Sequence, residues 1–303
     1  MKKSFLIKDD DNNSRLDRWF KRNVCSLPQS LIEKNLRRGN IKVNNKKGKS
    51  SYKLKKDDIV DVHNINFTPN KSNQKLERYT ASKKDLEFSS TLFIENNKDF
   101  AVINKPAGIA VQSGTKSKKN IIDILRSTKE FEGFLPFSVH RIDKETTGIF
   151  IVAKNRKYAQ LLTSLFRIRK IHKTYLGVVL GEMDQSKGKL IDELIYQDGK
   201  KVIKAKAITY FEVIDSNNNY SLLKLNPETG RKHQIRKQLL MRGHPILGDT
   251  KYRFLDSKRN RKNALMLHAY KIKFSVAGSR FNFLANPPLQ FIKVLKEKFL
   301  KIS

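Results

Sequence analysis

His140-Arg-Ile-Asp-Lys-Glu-Thr-Thr-Gly148 runs directly into the apolar stretch Ile149-Phe-Ile-Val-Ala153. The second segment reads as a strand. The first places the carboxylate of Asp143 among cations and hydroxyls just ahead of it. The start of a strand in a rigid sheet is a position where a reactive group can be held still. Outward from this point the chain breaks into short β-rich runs: Leu92–Ile94, Phe100–Ile103, Thr174–Leu180, Ala207–Val213, Ser221–Leu225 and Tyr270–Ser275. A turn at Asn104-Lys-Pro-Ala-Gly108 follows the second of these runs. Helical spacing recurs at about 119–127, 155–166, 231–242 and 289–300, the last with Leu289, Ile292, Leu295 and Phe299 on one stripe. Strands outnumber helices without strict alternation, which predicts an α+β fold: a mixed, mainly antiparallel sheet with peripheral helices.

Residues 1–65 predict a separate small α/β unit with its core at about 14–65. Leu16, Trp19 and Phe20 share a helical face. Ser26 as an N-cap and Pro28 in the first turn open a second helix, which runs through Leu31, Ile32 and Leu36 to Arg38 and ends at Gly39. Ile41–Val43 and Asp58–Val62 alternate as strands, separated by a basic turn at 44–48. Residues 66–90 are polar and broken by Pro69, and read as a linker. Residues 91–303 form the larger domain.

The chain of 303 residues carries 63 basic and 29 acidic side chains, a formal charge of +34. Such an excess attracts polyanions and marks nucleic acid as the first partner to consider, a membrane surface being second. The competing reading is a generally lysine-rich proteome. Both parts of the chain are basic, as expected if both touch one polyanion. A single cysteine, Cys25, excludes an intrachain disulfide and a cysteine-based zinc site. No apolar run approaches the ~18 residues of a membrane span, and the start of the chain matches neither a signal nor a transit sequence. A cytoplasmic protein is expected.

Several segments carry a family resemblance. His140–Gly148 resembles the HRLDxxTSG signature of the RluA/RluC/RluD-type pseudouridine synthases, and Leu225-Asn-Pro-Glu-Thr-Gly-Arg-Lys-His-Gln-Ile-Arg236 resembles their LxPxTGRxHQIR motif. Lys173-Thr-Tyr175 fits the KxY motif, and Asn104–Gly108 resembles the first motif, where a buttress for the aspartate loop is implied. Gly243–Asp249 and Leu267–Ala269 continue the late motifs, so the likeness spans the chain. Near the N-terminus, the element order and the junction Arg37-Arg-Gly-Asn-Ile-Lys-Val-Asn44 resemble an S4 RNA-binding domain. Departures are Gln238, where many members have histidine, and Val276-Ala-Gly278, which replaces a usual His-Pro and leaves the local RNA contacts open.

The resemblance implies a pseudouridine synthase fold and isomerisation of uridine in RNA without cofactor or metal. It makes Asp143 the nucleophile, by attack at C1′ or by proton removal at C2′. A turn-capping aspartate is the competing structural reading. Arg236 is then its partner, since a guanidinium fork can hold a carboxylate ionised and aimed. Tyr175 is expected to stack on the extruded uracil, with its hydroxyl available for removal of the C5 proton. Arg141 fills the space left by the base, and Arg231 binds phosphate or supports its turn. Arg37, Arg38, Lys42, Lys46 and Lys47 form the phosphate-contacting edge of the small unit.

The implied partner is large-subunit ribosomal RNA, free or in an assembling subunit, with no membrane and a monomeric enzyme, and the RluC-like branch fits best. A catalytically inactive S4-type ribosome-assembly factor is the alternative. A metal-dependent hydrolase or nuclease using His140 with Asp143, His172 or His233 lacks a ligand pair and an acidic cluster, and a glycosidase lacks a convincing second carboxylate.

Overall fold

The computed structural model describes residues 2–8, 11–25, 27–63, 79–113, 119–198, 201–254 and 264–302. The chain divides into two compact units, Met1–Arg78 and Tyr79–Ser303.

The first unit is a four-stranded sheet in the order β1-β4-β2-β3, formed by β1 (Lys2–Leu6), β2 (Ile41–Val43), β3 (Lys46–Lys47) and β4 (Ile59–His63). Its helices are α1 (Leu16–Asn23) and α2 (Gln29–Arg38). Leu16, Trp19 and Phe20 of α1 and Ile32 and Leu36 of α2 are buried with Ile41, Val43, Val60 and Val62 of the sheet, as the helical and alternating patterns require. Gly39 ends α2 with φ 76°, a left-handed cap that costs glycine little. Pro28, not an inner-turn residue, occupies the N-cap of α2, and Ser26 lies outside the described residues. Strand β1 has no counterpart in the sequence reading. It is an edge strand, paired only with β4 and almost wholly exposed, so it shows no apolar alternation.

In the second unit a ten-stranded sheet has the main order β10-β11-β12-β9-β13-β8-β6-β5. Its strands are β5 (Phe93–Asn96), β6 (Phe100–Lys105), β7 (Phe137–Ser138), β8 (Thr147–Ala153), β9 (His172–Leu180), β10 (Lys187–Asp198), β11 (Lys201–Asn217), β12 (Tyr220–Pro227), β13 (Leu267–Val276) and β14 (Ser279–Leu284). β7 pairs with β8, and β14 with β13. Among the described residues only β13 and β8 are strands paired in parallel, so the sheet is mixed and mainly antiparallel, as expected. Helices α3 (Lys83–Ser90), α4 (Ile121–Arg126), α5 (Arg156–Arg167), α6 (Gln234–Met241) and α7 (Leu289–Glu297) complete the unit.

In this unit the structure departs from the sequence reading at three places. The stretch expected to continue the linker to residue 90 contains α3, because Ser82 and Asp85 form a reciprocal capping box that starts a helix in polar sequence. Strand β10 is absent from the sequence expectations: the pairs Leu190-Ile191 and Leu194-Ile195 repeat at four residues and imitate a helix, whereas in the sheet Leu190 and Leu194 are buried and Ile191 and Ile195 are exposed. On α7 the buried face is Phe291, Val294 and Leu295. Leu289 (89% exposed) and Phe299 (87%) lie off it, one at the helix start and one beyond its end at φ 54°.

The register across the centre of the sheet positions the site. Leu225 of β12 faces Tyr175 of β9, Tyr175 faces Ala269 of β13, Ala269 faces Gly148 of β8, and Gly148 faces Lys105 of β6. Five sequence motifs therefore meet in one row. Gly148 has φ 105°, and a Cβ there would stand 2.3 Å from the Ala269 carbonyl oxygen, so only glycine permits the parallel contact of β8 with β13.

Candidate active site

The loop carrying Asp143 is fixed from below. Lys105, fully buried, donates its ammonium hydrogens to the carbonyls of Pro106 (2.6 Å), Ile109 (3.0 Å) and Lys144 (3.0 Å). Burial draws this lysine down to about 7, opposed by Glu145 and Asp143. The Gly108 amide donates to the same Lys144 carbonyl at 3.0 Å. The Asn104–Gly108 turn thus buttresses the aspartate loop, as its motif implies. On the other side the His140 Nε2 accepts from the Ile151 amide at 2.9 Å, and the ring stacks on Phe166 at 4.4 Å. Burial, with Lys173 nearby, depresses His140 to about 3, consistent with a nitrogen that must keep its lone pair.

Asp143 meets Arg236 across 93 positions of sequence: Nη1 donates to Oδ2 at 3.1 Å. The same guanidinium is clamped from behind by Asp249, with Nε to Oδ2 at 2.7 Å and Nη2 to Oδ1 at 2.8 Å. Asp249 also accepts from the amides of Lys251 and Tyr252, each at 2.8 Å. Burial alone would raise this carboxyl, but Arg236 and the two amides hold it below the ordinary carboxylate range. Burial would likewise lower Arg236, and its two carboxylates raise it above its ordinary value. The Tyr252 ring lies 5.1 Å from the guanidinium carbon. Arg236 is therefore rigid and permanently charged, with one nitrogen turned toward Asp143.

Helix α6 begins in a turn that the sequence motif builds residue by residue. Gln234 Oε1 accepts from Thr229 Oγ1 (2.7 Å) and the Arg231 amide (3.0 Å), and its Nε2 donates to the Ile208 carbonyl at 3.0 Å. His233, at the N-cap with φ 54°, lies with Nε2 3.6 Å from Asp143 Oδ1 and Nδ1 2.8 Å from the Tyr252 hydroxyl. Burial first, then Arg236 and nearby lysines, lower its basicity against the pull of Asp143. Gln238 is not at the cleft: its amide is buried among Leu190, Asp192, Thr209 and Ala207, so the departure from histidine there is one of packing. Ala277 and Gly278, both with positive φ, make the tight β13–β14 turn.

Asp143, Arg236 and Tyr175 line one cleft of about 830 Å³, together with Arg141, Arg231 and His233. Tyr175 presents its side chain from β9, and burial, then Asp143, push its phenol upward. Arg141 is exposed at the cleft. Arg231 donates from Nε to the Lys206 carbonyl at 3.1 Å, so it supports its turn while lining the cleft. The other five cations lie in the first unit. Arg37 and Arg38 end α2, Lys42 faces Lys47 across the β2–β3 pair, and Lys46 adjoins them. The side chains of Lys47 and Lys42 pass beside Gly39, 3.1 and 3.7 Å from where a Cβ would stand.

Sequence reasoning misses the clamp. Asp249 closes the Gly243–Asp249 segment, which reads as structural; a lone aspartate after the apolar run Pro245-Ile-Leu-Gly248 is the signal that could flag a buried charge needing a partner. His233 enters the sequence reading only as a metal ligand. Among the described residues no group of three or more histidines, cysteines or acids could hold a metal ion. No helix among them is long and apolar enough to cross a membrane.

Known proteins resemble this chain along nearly its whole length. The family described as RNA pseudouridylate synthase matches residues 99–241, which contain Asp143, Tyr175 and Arg236. A ribosomal large subunit pseudouridine synthase C from Buchnera aphidicola subsp. Baizongia pistaciae is 31% identical, covering 94% of this chain and 93% of the relative. One from Haemophilus ducreyi is 32% identical over 94% and 91%. The solved structure of human RNA pseudouridylate synthase domain containing 4 is 25% identical with a TM-score of 0.62, covering 71% of this chain and 96% of that one. With relatives of 31–32% identity along nearly its whole length and the family match over residues 99–241, the chain belongs to the RNA pseudouridylate synthase family.

Proposed function

We propose that the protein converts specific uridines of large-subunit ribosomal RNA to pseudouridine, with Asp143 as the reacting carboxylate and without cofactor. The observation that carries this reading is the Arg236 guanidinium, fixed by Asp249 and offering its remaining edge to Asp143 in a cleft walled by Tyr175. The relatives from Buchnera and Haemophilus are named for action on the ribosomal large subunit.

Isomerisation breaks the N1–C1′ bond, turns the base, forms the C5–C1′ bond, and moves one proton from C5 to N1. Nothing is oxidised and no group is donated. Asp143 serves either by bonding to C1′ or by taking the C2′ proton; both need an ionised oxygen held in place. Arg236 supplies the counter-charge already oriented, which limits reorganisation during reaction. The target base first leaves its stack, at a cost of a few kcal/mol, and Tyr175 offers an aromatic face to receive it. Burial and then Asp143 push the Tyr175 phenol upward, so its hydroxyl is available as a hydrogen-bond donor. Arg141 and Arg231 line the cleft where a displaced partner base and backbone would lie.

The first unit serves as an S4-like RNA-binding module, with Arg37, Arg38, Lys42, Lys46 and Lys47 meeting phosphates. The assignment extends to a cytoplasmic, monomeric enzyme acting on ribosomal RNA or an assembling subunit. Mapping pseudouridines in ribosomal RNA from cells with and without the gene tests the reading: one or more large-subunit sites must lose modification and regain it with wild-type protein but not with Asp143→Asn. Modification restored by Asp143→Asn would overturn the role of Asp143. Loss confined to other RNAs would overturn the substrate.

A further inference from the structure

Lys173 takes no part in the Asp143–Arg236–Asp249 arrangement. It lies on β9 two residues before Tyr175, so both side chains leave the same face of the strand, and both line the cleft. Its Nζ sits against the turn that precedes α6, 3.9 Å from where a Cβ on Gly230 would stand. Among the described residues this ammonium makes no hydrogen bond or ion pair, whereas its own carbonyl is bonded to Asn226.

The charged groups that line the cleft with Lys173 are mostly cationic. Arg167 and Arg169 come from the end of α5 and the segment after it, Arg141 and the neutral His140 from the aspartate loop, and Arg231 from the turn; Tyr175 shares its strand. The turn's Glu228 is an acid, and it is committed to Arg169 at 3.1 Å. The cleft's other carboxylate, Asp143, is committed to Arg236. A half-buried cation left without a counter-ion among other cations is unfavourable in the empty protein and is relieved by an anionic ligand. The ordinary alternative, a solvated surface lysine, does not fit a side chain enclosed by the cleft wall.

We propose that Lys173 is the phosphate-binding residue of the cleft, receiving a backbone phosphate of the RNA strand whose base enters against Tyr175. Two residues of strand separate the groups by about 7 Å, a span comparable to the sugar between a base and its own phosphate. An ammonium suits a phosphate contact because it is a point charge without the planar fork that reads base edges. The inference rests on the reading of this cleft as the uridine site.

Binding is measured in the Asp143→Asn background, so that no turnover occurs, with an RNA stem–loop carrying a uridine identified by pseudouridine mapping. Lys173→Met should weaken Kd about tenfold and lower the slope of log K against log[salt] by about 0.9, the value for one phosphate on a duplex, or about 0.7 on a single strand. Lys173→Arg should retain most of the affinity. A methylphosphonate at the contacted linkage should weaken binding to the lysine protein and add little to Lys173→Met. Burial, then Arg169, draw the free ammonium down to about 8, so affinity of the lysine protein should fall as pH rises through that value and stay level with arginine in place. Unchanged Kd and salt slope for Lys173→Met, or a methylphosphonate penalty of full size in that variant at every linkage, would overturn the assignment. Activity surviving Asp143→Asn would sink the underlying site reading. An inactive Asp143→Asn with unaltered binding by Lys173→Met would sink only the lysine.

Discussion

Asp143 and Asp249 share one guanidinium, yet their removal should have opposite consequences. Asp143 makes a single bond of 3.1 Å to Arg236 from a side chain that is 20% exposed, whereas Asp249 makes two shorter bonds from a side chain with no exposure. In Asp143→Asn the buried guanidinium keeps its bidentate counter-ion, and the new amide can still accept from Nη1. Loss of stability should therefore stay within about 1 kcal/mol, the net value of an ordinary hydrogen bond. In Asp249→Asn the clamp is lost, and Arg236 retains only one partly solvated carboxylate. Breaking a buried pair costs about 3–5 kcal/mol, and at about 2–4 °C per kcal/mol for a unit of this size the unfolding midpoint should fall by about 10 °C. The assay is urea and thermal unfolding of the two variants, followed by single-turnover pseudouridine formation. Asp143→Asn should be folded and inactive; Asp249→Asn should be unstable and, at a temperature where it is folded, slowed by at least about tenfold through a misaimed Arg236. Equal destabilisation by the two substitutions would refute the unequal division of Arg236 between them.

Gly148→Ala should destabilise the second unit by more than about 3 kcal/mol, since its Cβ meets the Ala269 backbone at 2.3 Å and φ is 105°; a near-normal denaturant midpoint would contradict this. The buried histidines make the fold acid-sensitive. His140 and His268 are depressed from 6.5 to about 3 and about 4 by burial, so the unfolded chain binds the extra protons. Stability is then full above pH 6.5 and falls by about 1.4 kcal/mol per histidine per pH unit below it; urea unfolding from pH 7 to 5 should show the slope, and His140→Gln should reduce it. Reversing the charge of Lys42 and Lys47 should weaken RNA binding and flatten its salt dependence without changing the stability of the catalytic unit, read by filter binding across a salt series. Tyr175→Phe should retain far more single-turnover activity than Tyr175→Leu, because the aromatic face is kept; equal loss in both would assign the work to the hydroxyl.

Much of the fold is legible in the sequence wherever the physics is local. The apolar run after Gly148 becomes β8, Gly39 closes α2, and the patterns of α1, α2, β2 and β4 predict the core of the first unit. Elements without a local signature escape. Edge strand β1 hides no apolar face, β10 carries helix-like spacing, and α3 begins in polar sequence from a capping box. On α7 only the middle of the stripe that periodicity suggests packs: Ile292 and Leu295 meet the core, whereas Leu289 and Phe299 do not, since the sequence does not say where the helix starts and ends.

By itself the sequence determined which chemistry is present: one aspartate ahead of a buried strand, a motif arginine far along the chain, a tyrosine on a third segment, and enough positive charge for a polyanion. Tertiary structure alone decided how those groups are held. The row Tyr175–Ala269–Gly148–Lys105 exists only once four strands are in register, and the unequal sharing of Arg236 depends on an aspartate thirteen residues away that no local pattern links to it. Residue types and spacing are properties of the chain, whereas counter-charges and desolvation arise between segments and are set only when the chain has folded.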